Sequence, residues 1–166
     1  NQKVGEVNIY YKDDLIETLN LLASENVEQV NKTLSHKKVL YDLFVQRSSE
    51  TKISATDNLS FQEHEKFVDN HPYRYWFLLK IKTRYVGTFY VTYENQLGIF
   101  LTEQFQDLFE DVLKYIMRAF DPLPALPSCR ASGFNLNVSA NDKACLRKFD
   151  KLGISPYQFT FKLTNF

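Results

Sequence analysis

The stretch Asn137-Val138-Ser139-Ala140-Asn141-Asp142-Lys143-Ala144-Cys145-Leu146-Arg147-Lys148-Phe149-Asp150-Lys151-Leu152-Gly153-Ile154 predicts a strand end, a turn, one helix and a new strand. Asn141-Asp142 can begin the helix, because Asn and Asp side chains accept hydrogen bonds from the free N–H groups of a first turn. Apolar residues follow at helical spacing, namely Ala144, Leu146, Phe149 and Leu152. Gly153 stands where a residue of left-handed conformation commonly ends a helix.

Strand and helix patterns alternate on both sides of this stretch. Apolar and polar residues alternate over 133–138 and over 157–163, which predicts a strand before the helix and another after it. Residues 104–120 carry apolar side chains at helical spacing, and prolines at 122, 124 and 127 predict a stiff loop after them. Three β-rich runs with short polar links precede that helix and predict an antiparallel meander: 76–81, 85–92 and 96–101.

The first third of the chain predicts a strand and two or three helices. Residues 4–11 are rich in strand-forming side chains, and Asp13-Asp14 can begin a helix that carries Leu15, Ile16, Leu19 and Leu22. Residues 24–36 show only a weak helical signal, and the apolar run at 39–45 favours a helix over a strand. Ser60-Phe61-Gln62-Glu63 is a capping box, which begins another helix.

Composition narrows the classes of protein and partner. The chain has 166 residues and 44% hydrophobic residues, which suits a single globular domain over residues 1–166. Twenty basic residues balance twenty acidic ones, so we expect no attraction to nucleic acid or to an anionic membrane. The two Cys and three His show no metal-ligand spacing, and no metal is expected. We find no membrane-spanning run and no signal peptide pattern, which predicts a cytoplasmic protein.

The stretch 137–154 resembles the last strand–helix–strand of the GNAT (Gcn5-related N-acetyltransferase) superfamily. The residues that carry the resemblance are Asn141, Ala144, Phe149 and Lys151-Leu152-Gly153-Ile154. The order of predicted elements matches that family over essentially the whole chain. The resemblance implies an α/β (α+β) fold, with a mixed and mostly antiparallel sheet of six or seven strands flanked by about four helices.

A second segment looks like acetyltransferases of the sugar-modifying kind. It combines a Ser-x-x-Glu-His helix start with an aromatic strand and a Val-Gly hairpin, carried by Ser60, Glu63, His64, Phe67, Trp76, Val86 and Gly87. The two resemblances together imply an acyl-CoA-dependent N-acyltransferase that acts on a small amine, with amino sugars among the candidates.

The resemblance also implies where acetyl-CoA or another acyl-CoA would bind. Members of the family bind it in a gap beside their fourth strand, which matches residues 97–101, with backbone contacts at Phe100 and Leu101. The loop that wraps the pyrophosphate matches residues 106–111. The cofactor-binding residues implied are therefore Phe100, Leu101, Gln106, Leu108, Phe109, Asn141, Ala144 and Phe149.

The chain departs from the family at the positions that carry chemistry. Phe109 and Asp111 stand where the loop has glycines, and Glu103, Asp107 and Glu110 add further acids nearby. A carboxylate about 5 Å from a pyrophosphate costs on the order of 3 kcal/mol before screening, at an effective dielectric constant of about 20. Phe149 stands where many members have the Tyr that protonates the leaving thiolate, and a phenyl ring cannot donate a proton.

The catalytic candidates are Glu94 or Tyr93 as the general base, in the turn before the fourth strand, and Tyr157 as a substitute proton donor. Two alternatives to an enzyme remain. One is a non-catalytic GNAT-fold module that binds a metabolite or a protein, and the other is an unrelated α+β domain with an aromatic pocket. The edge strands and the aromatic residues permit a homodimer without requiring one.

Overall fold

The computed structural model describes residues 7–11, 14–19, 26–48 and 59–158 of the chain. These residues form β1 (Val7–Tyr11), β2 (Asp14–Leu19), β3 (Val27–Gln29), α1 (Leu34–Val45), α2 (Phe61–Asn70), β4 (Tyr73–Ile81), β5 (Arg84–Thr92), β6 (Gln96–Leu101), a 3-10 helix (Glu103–Leu108), α3 (Phe109–Ala119), β7 (Asn135–Leu136) and α4 (Lys143–Lys151). They divide into two compact units, of which the first includes the described residues up to 47 and from 59 to 137. The second includes residue 48 and residues 138–158.

A five-stranded sheet in the order β3-β4-β5-β6-β7 forms the centre of the first unit. Neighbouring strands pair antiparallel from β3 to β6, which confirms the predicted meander, whereas β7 pairs parallel to β6. Strands β1 and β2 form a separate antiparallel pair. The mixed, mostly antiparallel sheet with four α-helices among the described residues confirms the predicted fold class.

Each face of the large sheet packs against helices. On one face, Trp76 and Leu78 of β4 pack with Leu40, Leu43 and Val68 of α1 and α2. On the other face, Phe89 of β5 meets rings of α3 and its C-terminal end, since its ring centroid lies 6.1 Å from those of Tyr115 and Phe120. The sheet therefore lies between α1 and α2 on one side and α3 on the other.

The sequence predicts the start of α2 correctly. Ser60 Oγ accepts the Glu63 N–H at 3.3 Å, and the Glu63 carboxylate accepts the Ser60 N–H at 2.9 Å. These reciprocal bonds satisfy two donors that a helix start leaves without partners, which confirms the capping box. The apolar run at 39–45 is helical, as predicted, within α1.

The helix predicted after Asp13-Asp14 is wrong. Residues 14–19 form β2, which pairs with β1 through Ile9↔Ile16 and Tyr11↔Asp14. Only two residues separate β1 from β2, so antiparallel pairing with the preceding strand competes directly with local helix formation. Ile16 and Thr18 are also β-branched and favour the strand. Leu22 lies outside the described residues.

Two further elements differ from the sequence-based prediction. Residues 104–120 do not form one helix, because a 3-10 helix with a non-helical residue at Phe105 precedes α3. Strand β3 was not predicted, and its three residues are too few to show a period of two. It gains its stability from pairing with β4 at the sheet edge.

The second unit contains α4 with the caps that its sequence predicts. The N-cap is Asp142 rather than Asn141, since the Asp142 carboxylate accepts the Cys145 N–H at 2.9 Å. At the other end Gly153 has φ = 70°, and the Gly153 and Ile154 N–H groups bond the Asp150 and Phe149 carbonyls. These two bonds form a Schellman motif. Of the strand predicted at 157–163, residues 157 and 158 are not in a strand, and the rest lies outside the described residues.

Asn95 joins the β5–β6 turn to the loop that leads into β7. The residue is fully buried and has φ = 61°. Its side-chain amide donates to the Leu123 and Ala131 carbonyls at 2.8 and 3.2 Å, and its Oδ1 accepts the Leu123 N–H at 2.8 Å. Its own carbonyl accepts the Asn135 N–H at 2.9 Å, at the start of β7. One side chain thus fixes where β7 meets β6.

A hydrogen-bonded group of three side chains holds β3 to α1 and β5. His36 Nε2 lies 2.9 Å from Glu28 Oε1, and the Tyr85 hydroxyl donates to Glu28 Oε2 at 2.8 Å. His36 Nδ1 accepts the Asn31 N–H at 3.0 Å, which leaves the Nε2–H to donate to Glu28. Because both ring nitrogens of His36 are occupied, we interpret this group as structural.

We predict that Asn95→Ala destabilises the chain more than Asn95→Gly does. Both variants lose the three side-chain hydrogen bonds, which costs about 1–3 kcal/mol. Alanine adds the strain of a positive φ, about 1–2 kcal/mol, whereas glycine adopts that conformation freely. Urea unfolding of both variants gives the two free energies. Equal stability of the two variants would contradict the assigned backbone strain, and no loss in either would contradict the anchoring role.

We predict that Glu28 contributes to the acid sensitivity of folding. The hydrogen bond from Tyr85, and then the one from His36, hold the Glu28 pKa below its ordinary value. A carboxyl with a lowered folded pKa stabilises the fold above its unfolded pKa, and this stability is lost as pH falls through the folded pKa. Unfolding free energies measured between about pH 6 and pH 3 should therefore fall less steeply for Glu28→Gln than for the unmodified chain. Parallel curves would disprove this contribution.

Candidate functional site

Strand β6 pairs with β7 over only part of its length. The register consists of Gln96↔Asn135 and Leu97↔Leu136. Within the described ranges, no strand pairs with residues 98–101 on the side away from β5. With respect to the described residues, the C-terminal half of β6 is therefore open on the side away from β5.

The alternation of the strand determines which backbone groups face this open side. Thr102 donates its N–H to the Val86 carbonyl at 2.9 Å, and the antiparallel register aligns Gly98 with Tyr90 and Phe100 with Thr88. Even-numbered residues of β6 thus bond β5, and odd-numbered ones turn their N–H and C=O groups the other way. The Asn95 carbonyl, which bonds β7, follows the same rule. Ile99 and Leu101 therefore present their backbone groups to the open side.

The sequence predicts that the backbones of Phe100 and Leu101 both contact the cofactor. According to this register, they face opposite sides of β6. Leu101 faces the open side, although its carbonyl already accepts the Gln106 side-chain amide at 2.5 Å. Phe100 faces β5 with its backbone and the α1/α2 face with its ring. Ile99, which the sequence-based prediction missed, is the second residue on the open side. Only the strand register, which no local pattern specifies, distinguishes Ile99 from Phe100.

A buried hydroxyl without a partner follows directly after the open half of β6. Thr102 is 6% exposed, and its Oγ1 makes no hydrogen bond to any residue that the structure describes. Buried polar groups in folded proteins almost always have a hydrogen-bond partner, so an unpaired one indicates a missing ligand or water. The position of Thr102 next to Leu101 places this unsatisfied group at the end of the strand that has the open side.

The segment that should wrap a pyrophosphate has the wrong form for that role. The 3-10 helix continues directly into α3, and the Phe109 N–H bonds the Gln106 carbonyl, so Phe109 does not offer a free donor there. Leu108 and Phe109 are buried. Glu110 bonds Lys114 at 2.5 Å, and burial raises the pKa of Asp111. This helix start combines acidic side chains with a backbone that is already hydrogen-bonded.

The catalytic candidates from the sequence lie elsewhere. Tyr93 and Glu94 occupy the β5–β6 turn, where both are exposed, and the Tyr93 carbonyl accepts a bond from Arg130 at 2.8 Å. The five residue steps of β6 separate this turn from Leu101 by about 17 Å. Tyr157, in the second unit, is 83% exposed. The structure therefore does not bring Tyr93 and Glu94 together with the open half of β6.

The second unit contains the other predicted cofactor residues. Asn141 and Ala144 are exposed, and Phe149 is half-buried on α4. Burial raises the pKa of the nearby Cys145 thiol to about 11, so this thiol is protonated at neutral pH and is a poor nucleophile.

The α1/α2 face of β6 carries a charged and aromatic group that the sequence-based prediction also missed. The Arg47 guanidinium carbon lies 4.8 Å from the centroid of the Phe100 ring. The Tyr73 and Tyr90 rings stack 3.9 Å apart, and burial raises the pKa of the Tyr73 hydroxyl. His64 is 4% exposed, and its Nε2 has no hydrogen-bond partner. Arg47 follows α1 at the start of a polar stretch of sequence, so its neighbours in the sequence do not indicate burial.

The fold is similar to those of several solved acetyltransferases. AAC(6')-Iy in complex with the bisubstrate analog CoA-S-monomethyl-acetylneamine has a TM-score of 0.50 and 13% identity, over 84% of this chain and 96% of that one. A possible acetyltransferase from Clostridium difficile 630 has a TM-score of 0.54 and 11% identity, over 84% and 96%. Aminoglycoside N-acetyltransferase AAC(6')-Iy in complex with CoA has 0.54 and 12%, over 84% and 93%.

These similarities show that the chain has the GNAT fold, which confirms the family resemblance of its sequence at the level of the fold. No family model matches the chain, and no curated protein matches it. Among the described residues, no helix has the length and apolar character needed to cross a membrane.

Proposed function

We propose that the protein is an acyl-CoA-dependent N-acyltransferase that transfers an acyl group directly to a small amine. The observation that carries the proposal is the open half of β6, where Ile99 and Leu101 present backbone groups beside the unpaired Thr102 hydroxyl. The acetyltransferase fold supports it, since solved proteins of similar fold have been crystallised with CoA or a CoA analog.

The open half of β6 offers what an acyl-pantetheine arm needs. Such an arm contains two amide groups, and an extended amide chain can add to an exposed strand through main-chain hydrogen bonds. The Ile99 N–H and C=O and the Leu101 N–H can supply them, while the Leu101 carbonyl is taken by Gln106. The Thr102 hydroxyl, which precedes the helix start, can then bond the end of the arm that leads to the diphosphate.

The reaction needs little covalent chemistry from the protein. The neutral amine attacks the thioester carbonyl, a C–N bond forms, the C–S bond breaks, and the amine proton and the thiolate are neutralised through solvent. Holding the two reactants in contact supplies most of the rate enhancement in such a transfer. Glu94 or Tyr93 as base and Tyr157 as proton donor stay predictions from the sequence. The distance along β6 from the turn to Leu101 does not favour Glu94 or Tyr93 as the base.

A second candidate is a GNAT-fold module that binds a ligand without catalysis. The acidic helix start and Phe149 in place of the usual Tyr favour this alternative. Binding of acyl-CoA without acyl transfer to any amine would identify it, whereas transfer would exclude it.

We predict that Ile99→Pro weakens the binding of acetyl-CoA at least tenfold. Proline removes the Ile99 N–H, which faces the open side, and leaves the bonds of Gly98 and Phe100 to β5 in place. Ile99→Val keeps the N–H and a similar side chain, and it serves as the matched control. Isothermal titration calorimetry measures the dissociation constant of each form.

Binding by the unmodified chain that Ile99→Pro leaves unchanged would place acyl-CoA elsewhere. No binding of acetyl-CoA or of longer acyl-CoAs at millimolar concentration would overturn the proposed function. Thermal unfolding of Ile99→Pro checks that the strand still forms, because only a folded variant reports on the ligand.

We predict that the diphosphate and nucleotide contribute little to donor binding. Acidic side chains surround the helix start, so acetyl-pantetheine should bind about as tightly as acetyl-CoA. Asp107→Asn removes one exposed carboxylate from this segment and should tighten acetyl-CoA about fourfold, as expected for one like-charge contact near 5 Å in water. It should leave acetyl-pantetheine unchanged, which makes the smaller donor an internal control.

One outcome of these titrations would contradict the prediction. If acetyl-CoA binds more than tenfold tighter than acetyl-pantetheine, the chain holds the diphosphate by donors outside the acidic helix start. The same two titrations at low and at high salt show whether the contact is electrostatic.

A further inference from the structure

The positively charged Arg47 guanidinium lies over the Phe100 ring, and no described residue supplies a counter-charge. Its Nε is inaccessible to solvent and has no hydrogen-bond partner. Among the described residues no carboxylate lies within ion-pair distance of Arg47, and the nearest ionisable groups acting on it are the Tyr73 and Tyr90 hydroxyls. A desolvated cation normally has an anionic partner, because burial of an unpaired charge is costly.

His64 supplies a second buried nitrogen that has no hydrogen-bond partner among the described residues. Its ring stacks on Phe44 at a centroid distance of 5.7 Å and lies 5.6 Å from the ring of Tyr41. Burial, and then the charge of Arg47, lower the His64 pKa, so the imidazole is neutral near pH 7 and can donate one N–H. The Arg47 N–H bonds the Phe44 carbonyl at 3.1 Å, and the His64 ring stacks on Phe44, so both residues contact Phe44. Arg47 Nε–H and His64 Nε2 are therefore two buried positions that one anion could bond.

The position of Arg47 relates this pair to the proposed donor site. Arg47 lies over the Phe100 ring, and Phe100 stands between Ile99 and Leu101, whose backbone groups face the open side of β6. The residues around it include the stacked rings of Tyr73 and Tyr90. A single guanidinium with one imidazole N–H matches the two oxygens and single charge of a carboxylate. A phosphate dianion would require more donors.

We propose that the Arg47–His64 pair binds the carboxylate of the acceptor, so that the acceptor is an amine that also carries a carboxylate and an apolar or aromatic part. The identification of this ligand as the acceptor rests on the proposed function. The binding of a carboxylate by the pair does not. It replaces the amino sugar suggested by the sequence, because a positive guanidinium would repel a polycationic substrate. An aminoglycoside, the substrate class in the name of one structurally similar enzyme, is of that kind.

Tryptophan fluorescence of the full chain can report ligand binding at this site. Trp76 is the only tryptophan, and its ring lies 5.0 Å from that of Tyr73, which stacks on Tyr90. We titrate the chain with phenylacetate, phenylacetamide and phenethylamine and follow tryptophan fluorescence. These probes share the phenyl ring and differ in charge. Phenylacetate should bind at least tenfold tighter than the other two.

Variants assign the selectivity to Arg47. Arg47→Met should abolish the preference for phenylacetate, Arg47→Lys should keep part of it, and Arg118→Met, on the exposed side of α3, should leave it unchanged. Removal of a buried unpaired charge should not unfold the chain, and thermal unfolding checks this. Equal binding of the three probes by the unmodified chain overturns the proposal whatever the variants do, as does full selectivity in a folded Arg47→Met.

Acyl transfer separates this inference from the proposed function. With acetyl-CoA present, phenylalanine should be acetylated at least tenfold more efficiently than phenethylamine, measured as kcat/KM. If acetyl-CoA does not bind but phenylacetate does, the proposed function fails and the carboxylate site stands. If phenethylamine is the better acceptor, the function stands and this inference fails.

Discussion

The hydrogen bonds of Asn95 determine where β7 meets β6, and the geometry of the candidate site depends on that position. Its side chain holds the loop at Leu123 and Ala131, and its carbonyl receives the first N–H of β7. Because the anchor lies at the N-terminal end of β6, the parallel pair begins there and ends after two residue pairs. The other end of β6 stays open, and it is at this end that Ile99, Leu101 and Thr102 are found.

Fold and chemistry are separable in this chain. The GNAT fold is present, with helices on both sides of the mixed sheet, and it positions an open strand whose backbone suits an amide-containing ligand. The helix start that would receive a pyrophosphate has acids and a hydrogen-bonded backbone instead. On the α1/α2 face, Arg47 and His64 supply unpaired nitrogens close to Phe100. The donor and acceptor ends of the proposed reaction therefore depend on different kinds of group, backbone amides at one end and a half-buried cation at the other.

Local patterns in the sequence predict most of the fold. The capping box at Ser60, the meander from β4 to β6 and the Gly153 helix end all follow from short-range physical rules. The β1–β2 pair and the three-residue β3 were not predicted. Pairing with another strand, rather than local propensity, determines that these residues form strands. Less of the candidate site than of the fold could be predicted from the sequence. Strand register determines that Ile99, and not Phe100, faces the open side. Packing between α1 and β6 determines the partial burial of Arg47. Neighbouring residues in the sequence predict neither feature.

Hydrogen exchange of the backbone amides tests the central claim most directly, since the claim concerns N–H groups. In the unmodified chain, Ile99 and Leu101 amides should exchange more slowly when an acyl-CoA is added, while those of Gly98 and Phe100, already bonded to β5, should change little. This alternating response is expected only if the ligand extends the sheet along β6. Protection at other segments with no change at Ile99 and Leu101 would contradict the account, because the ligand would then bind without using the open strand.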